Sequence, residues 1–438
     1  MDYCKKITFL VILISLNIYA QDKMSKEEAI KMALEFNYGV KMAKKNVQIA
    51  KNNASFLNSG FLPSIALEAN ANKSIENGEQ TLLDGRVISQ EAAERTSYGG
   101  SIGVNYVLFD GLGRLYNFKK LKENYRLSEL EARIVIENMV LQLVTQYYQV
   151  AEITAQTSIL SETLAISEKR FKRLQLGYDF GQNTKLEVLN AEVDYSSDVL
   201  ELKKLQTSFL NAKRNLNLSL GKPINAPVEL DAIVNFESMF DLAALRKQAL
   251  TQNASIAKAN KNITISKLDM NIVRKNFLPT ISINASYSTN TSIDESSIFF
   301  DNIISQGPRA GVTLNWNLFD GGSSIINSRN AVITRDRLSI QKEEVLKEVE
   351  RSIENAYETY QNSLDIIALE QKNLKTNQLN FQRSESAFKL GQSTSIQYRE
   401  AQLNLMNAKL NLNKAKYAAK IAELEVLKLA GYLLDTNF

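Results

Sequence analysis

The chain is 438 residues long, sets 52 Lys and Arg against 48 Asp and Glu for a net charge of +4, and contains no histidine. So even a balance offers no basic field to hold a nucleic acid, and the missing histidine removes the commonest general base and the commonest metal ligand. Only 1 cysteine (Cys4) and 5 prolines occur, a composition that favours long uninterrupted helices and leaves little room for disulfides.

The first residues, MDYCKKITFLVILISLNIYAQ, combine two lysines, an apolar run from Ile7 to Leu16 and a small residue at Ala20. This predicts a secretory leader over residues 1–20, because the run is too short to span a bilayer. Cys4 lies inside it, so the exported chain is expected to hold no thiol and no lipid anchor. Beyond the leader no run of 18 apolar residues follows, which excludes a transmembrane helix but not a β-barrel.

From Lys26 to Asn58 apolar residues recur at helical spacing, among them Ile30, Ala33, Leu34, Val40, Ala43 and Val47. Pro63 ends the helix, and the period changes to two. Ile65, Leu67, Ala69 and Ala71 alternate with Ser64, Ala66, Glu68 and Asn70. A second alternating run carries Tyr98, Ile102, Val104, Tyr106 and Leu108 on one side and Ser101, Gly103 and Asn105 on the other. The expected strands, 61–74 and 98–109, have the length and patterning of transmembrane β-strands. The polar stretch Lys73–Ser97 between them reads as an external loop.

Leu-Phe-Asp-Gly follows at 108–111, and the helical period then persists over 112–220, broken by a glycine turn near Tyr178. A helix of that size reaches about 100 Å at 1.5 Å per residue and needs neighbours packed beside it. The tetrapeptide sits where a strand must turn into a helix. Phe109 suits a membrane interface, Asp110 is placed as an N-cap, and Gly111 permits the change of direction.

All of this is then repeated. Leu-Phe-Asp-Gly returns at 318–321, with Phe319, Asp320 and Gly321 standing 210 positions after Phe109, Asp110 and Gly111. FGQNT at Phe180–Thr184 matches LGQST at Leu390–Thr394, and Gly221 matches Gly431, at the same offset. FLP recurs from Pro63 to Pro279, 216 positions on. The chain therefore reads as a tandem duplication: residues 21–221, with a β-hairpin at 61–109 and a helical hairpin at 112–220; a linker at 222–240; residues 241–431, with a β-hairpin at 277–319 and a helical hairpin at 323–430; and a tail at 432–438. The second pair of strands is expected at 277–290 and 309–319, joined by an external loop over Thr289–Pro308. The fold class is mainly α with a transmembrane β portion.

This order of FLP, alternating hairpin, LFDG and long helical hairpin with a glycine turn, written twice, resembles the TolC family of outer-membrane efflux proteins. The resemblance implies a homotrimer whose protomers each give four strands to a twelve-stranded barrel in outer-membrane lipid and their helices to a periplasmic α-barrel. Physics asks for the same closure, since four strands cannot close alone and an open edge cannot face lipid. It implies a passive exit duct in the outer membrane, extending into the periplasm, fed by an inner-membrane pump and a periplasmic adaptor, with no cofactor. The adaptor-docking tips would be Phe180, Gly181 and Gln182 with Leu390, Gly391 and Gln392; relatives often have an aliphatic residue or Thr where both Gln residues stand. Gly177 reads as an extra, loosening glycine at the first tip. Residues just past the tips, Glu187, Asn190, Gln397 and Glu400, match the positions that line the family's constricted mouth. Against this, Glu187 and Glu400 read as solvated acids paired with Lys185 or Arg399. A secreted coiled-coil scaffold or adhesin is the competing reading. An enzyme is disfavoured, because a chain duplicated over its whole length and lacking histidine offers no unique catalytic constellation.

Overall fold

The structure is a computed structural model that describes residues 23–231, 233–236, 240–294 and 302–434; the expected leader lies outside the described residues. Its elements run α1 (Lys26–Phe36), α2 (Tyr38–Asn53), β1 (Ser64–Thr81), β2 (Val87–Asp110), α3 (Gly113–Asp179), α4 (Lys185–Leu220), α5 (Leu242–Gln252), α6 (Ala254–Arg274), β3 (Thr280–Asp294), β4 (Asn302–Asn315), α7 (Ser323–Lys389) and α8 (Ser395–Ala430). The second half restates the first. No described helix is long and apolar enough to cross a membrane.

The chain divides into two compact units, each assembled from parts of both repeats. One unit, with its described residues within 23–46, 130–258 and 343–434, is helical. Its core gathers Val140, Leu143, Tyr147 and Tyr148 of α3 with Leu216 and Leu220 of α4. The second repeat builds its own, from Ile353 and Tyr360 of α7, Val426 and Ala430 of α8 and Leu245 of α5. One device ties each short helix pair to its long hairpin. The Asn37 side chain donates to Ser219 O (2.8 Å) and accepts from Gly39 N (2.8 Å). Asn253, 216 positions on, donates to Leu429 O (2.9 Å) and accepts from Ser255 N (2.9 Å). Each asparagine satisfies the orphan groups of a helix start and a helix end together.

The other unit, residues 47–129 and 259–342, holds an antiparallel sheet in the order β1-β2-β3-β4. Ile65 lies opposite Val104, Val104 opposite Ala285, and Ala285 opposite Ala310. Directly opposed residues project from one face, so every apolar set of the four strands falls on a single face. Ser64, Asn105, Asn284 and Gly311 share the other. Among the described residues nothing covers the apolar face. Ile65, Leu67, Val104, Ile283, Val312 and Leu314 are all exposed, a surface that water would not tolerate and lipid would.

The strands depart from their expected limits. β1 and β2 continue beyond residue 74 and before residue 98, so most of Lys73–Ser97 is a paired ribbon, closed by a turn in which Leu82 N donates to Arg86 O (2.8 Å). β3 likewise runs on to Asp294, and β4 begins at Asn302, so much of Thr289–Pro308 is strand rather than loop. The extensions are mostly polar, and their few apolar residues, such as Ile75, Val87, Ile88, Ile303 and Ile304, fall on both faces, so the one-sided apolar alternation stops while the backbone ladder continues. β4 ends at Asn315, leaving Trp316 and Phe319 outside the strand. A bulge between Val107 and Phe109 sets Phe109, not Leu108, opposite Ile281 on the apolar face.

At the strand-to-helix crossings the aspartates act two residues further out than an N-cap. Asp110 Oδ2 accepts from Arg114 N (2.8 Å), and Asp320 Oδ2 accepts from Ser324 N (2.9 Å) and the Ser324 hydroxyl (2.6 Å). These bonds hold the Asp320 carboxyl below the usual range. Both crossings use two successive left-handed residues, Gly321-Gly322 in one and Gly111-Leu112 in the other, with Leu112 at φ 67°.

Candidate functional site

The two helical hairpins turn in the same way. At the first tip Gly181 N donates to Tyr178 O (2.9 Å) and Gln182 N to Gly177 O (2.7 Å); at the second Gly391 N donates to Phe388 O (3.1 Å) and Gln392 N to Ala387 O (2.8 Å). The glycines take φ of 73° and 75°, the left-handed helix ending that glycine adopts most readily. A Cβ on either would meet nothing within 4 Å, so backbone conformation rather than crowding calls for glycine. Phe180 is 74% exposed and Leu390 72%, so each tip presents an apolar side chain beside a bare backbone. Gly177 makes room for a neighbouring side chain. A Cβ there would overlap the Asn183 side chain, whose Nδ2 lies 3.3 Å from Leu174 O.

Past each turn a capping box starts the return helix. Thr184 N and Oγ1 donate to Glu187 Oε2 (2.8 and 3.0 Å), and Glu187 N donates back to Thr184 Oγ1 (3.3 Å). Thr394 and Gln397 repeat this, with Thr394 N donating to Gln397 Oε1 (3.0 Å) and Gln397 N to Thr394 Oγ1 (3.2 Å). Two of the four expected mouth residues thus have a structural duty. Glutamine at 397 performs it as well as glutamate does at 187, since both supply an acceptor oxygen. Glu187, Asn190 and Glu400 line one cleft between α4 and α8, while Gln397 lines the neighbouring ones.

The expected partners of the acids are engaged elsewhere. Lys185 Nζ lies 5.4 Å over the Tyr178 ring. Arg399 turns into the protein, where its Nη1 and Nη2 donate to the two Asp198 oxygens (2.8 and 2.6 Å). Around that fork, Ser167 donates to Asp198, and Gln402 Nε2 donates to Thr163 O (2.8 Å) and Ser167 Oγ (3.0 Å). Arg170 pairs with Asp194 and reaches Ser395 O at 3.2 Å. Arg170, Asp198, Arg399 and Gln402 are all buried. A polar clasp therefore fastens α3 and α4 to α8 just behind the tips. Aromatic contacts reinforce it. Phe388 stacks on Tyr398 at 4.8 Å, and Arg173 sits 5.4 Å over Phe388 and donates to Lys389 O (3.0 Å). Burial pushes the Tyr398 hydroxyl up to about 12. Sequence reading did not find this clasp. Its members carry no motif, and Ser167, Asp198 and Arg399 come from three separate helices.

The family model of the outer membrane efflux proteins matches residues 29–222 and 245–432, once for each repeat. The cation efflux system protein CusC of Escherichia coli is 23% identical over 92% of this chain and 85% of its own length. The outer membrane efflux protein BepC of Brucella suis is 21% identical over 98% and 90%. Among solved structures, the CmeC outer membrane channel of Campylobacter jejuni superposes with a TM-score of 0.79 at 15% identity, over 93% of this chain and 86% of that one.

Proposed function

This chain belongs to the outer membrane efflux protein family, and on that footing we propose that three copies close their sheets into one barrel and form the exit duct of a tripartite export system. It is an outer-membrane efflux channel extending into the periplasm. The observation that carries the trimer is the open sheet β1-β2-β3-β4, apolar on one uncovered face and unpaired along β1 and β4. Lipid can accept that face, but it cannot hydrogen-bond two open edges. Joining β4 of one copy to β1 of the next, three times, gives a closed twelve-stranded barrel with the apolar face outward and the Ser, Asn, Thr and Gly face around the lumen.

In this reading the tips meet a periplasmic adaptor through Phe180-Gly181 and Leu390-Gly391, since each pairs an exposed apolar anchor with a backbone that permits close approach. An inner-membrane pump supplies the cargo. Glu187 and Glu400, with Asn190 and Gln397, line the periplasmic mouth, where threefold symmetry gathers six carboxylates. The clasp behind the tips sets how far α8 stands from α3 and α4, and so the width of that mouth.

Fractionation with light scattering of the detergent-extracted protein tests this directly. The expected result is an outer-membrane protein with the mass of three chains. A monodisperse monomer that stays soluble without detergent overturns it and returns the chain to a secreted scaffold.

A further inference from the structure

Resting on that trimer, we infer that the strand register between neighbouring copies repeats the register between the two halves of one copy, with Leu314 of β4 directly opposite the partner's Ala69 of β1.

The two hairpins of the chain are built alike. Ser64 lies opposite Asn105 in the first, and Thr280 lies opposite Asn315 in the second. These are the same pair under the offsets of the duplication, 216 for the first strand of each hairpin (Pro63 to Pro279) and 210 for the second (Asp110 to Asp320). The junction between hairpins is visible once within the chain, where Val104 of β2 faces Ala285 of β3. Strands of a regular closed barrel share one tilt, so the stagger from hairpin to hairpin must be uniform around it. The junction between copies is therefore the same junction. Carried through the two offsets, Val104 becomes Leu314 and Ala285 becomes Ala69. The pleat allows slips of two residues only, because a slip of one would turn the apolar face into the lumen.

Two further features agree with this register. It sets the described residues of β4, Asn302–Asn315, against the partner's β1 from Thr81 back to Glu68. The whole of β4 is then paired, which accounts for β1 continuing past the part of β2 that faces β3. It also sets Arg309, the only charged residue of β4, opposite the partner's Ser74, with the partner's Glu76 diagonal to it on the same face. Arg309 and Glu76 have no ion pair among the described residues of one copy, and diagonal cross-strand neighbours lie within reach of long side chains. A slip of two residues toward the start of β1 would instead surround Arg309 with Asn70, Asn72 and Ser74.

The chain beyond the expected leader has no cysteine, so introduced pairs can be read without background. Leu314→Cys with Ala69→Cys, oxidised in membranes, should yield a covalent trimer, while Leu314→Cys with Leu67→Cys and each single variant should not. Arg309→Glu should lower the temperature at which the trimer dissociates in detergent, and adding Glu76→Arg should restore it. Cross-linking of 314 with 67 or 71 in place of 69 overturns the register while leaving the trimer standing. A monomer by light scattering, with no cross-link at any pair, removes the trimer itself.

Discussion

Arg399 illustrates how one side chain can tie two hairpins together. Its guanidinium forks onto Asp198, and both groups are withdrawn from water. Removing one partner of such a pair leaves a buried charge unanswered, at about 3–5 kcal/mol, whereas replacing both by apolar residues of similar size is often neutral. Arg399→Ala should therefore speed amide exchange along α8 and the facing turns of α3 and α4, and Arg399→Met with Asp198→Leu should slow it again; equal exchange in the two variants assigns no role to the ion pair. Glu400 is the opposite case, exposed on the cleft and without an ion pair among the described residues. If its symmetry mates meet at the mouth, their fields add where screening is weak. Trivalent cations applied from the periplasmic side should then block the reconstituted channel, and Glu400→Gln with Glu187→Gln should relieve the block. Bilayer recordings decide it, block in the double variant being the adverse result. Glu187→Gln keeps an acceptor for the Thr184 cap, as Gln397 does in the second copy, so the helix start is preserved.

The strands make their own prediction, because one face is continuous across all four. Val104 lies on the face shared with Ile65, Ala285 and Ala310, and its neighbour Asn105 lies on the face shared with Ser64 and Asn284. An arginine facing mid-bilayer costs about 2–4 kcal/mol. Val104→Arg should thus reduce the yield of heat-resistant trimer in the outer membrane, and Asn105→Arg should leave it near wild type. Equal losses at both positions would contradict the assignment of faces. The helices draw stability in another way. The capping boxes at Thr184 and Thr394 and the asparagine ties at Asn37 and Asn253 occur once per repeat, so each end of the long hairpins is secured by the same few hydrogen bonds.

For the whole molecule the question is whether assembly and docking separate. The tip glycines contact nothing that a side chain would displace, and the two main clusters of the helical unit are built from residues away from the tips, with only the small cluster of Leu174, Val188 and Ala191 near them. Gly391→Trp, or the same change at Gly181, should abolish export of a toxic compound while trimer mass and outer-membrane location stay unchanged. Loss of the trimer in these variants would make the glycines structural only. The tips, the clasp and the sheet edges would then serve three separable steps: recognition, mouth width and closure of the barrel.

The duplication, the two periods and their changeover at Pro63 and Pro279 are all legible along the chain, because alternation, proline and capping signals are local. Even the capping boxes stand written as Thr-x-x-Glu and Thr-x-x-Gln, although Glu187 and Gln397 attract a mouth-lining role first. The strand limits were only half legible, since a mostly polar ribbon held by backbone bonds leaves no one-sided apolar alternation. The bulge at Val107–Phe109 left none either, because it depends on what β3 presents opposite. The clasp could not be read at all. Ser, Asp, Arg and Gln on helices are ordinary solvated residues until a neighbouring helix excludes water from them. Only packing α8 against α3 and α4 turns Arg399 and Asp198 from surface charges into a buried pair whose separation costs free energy.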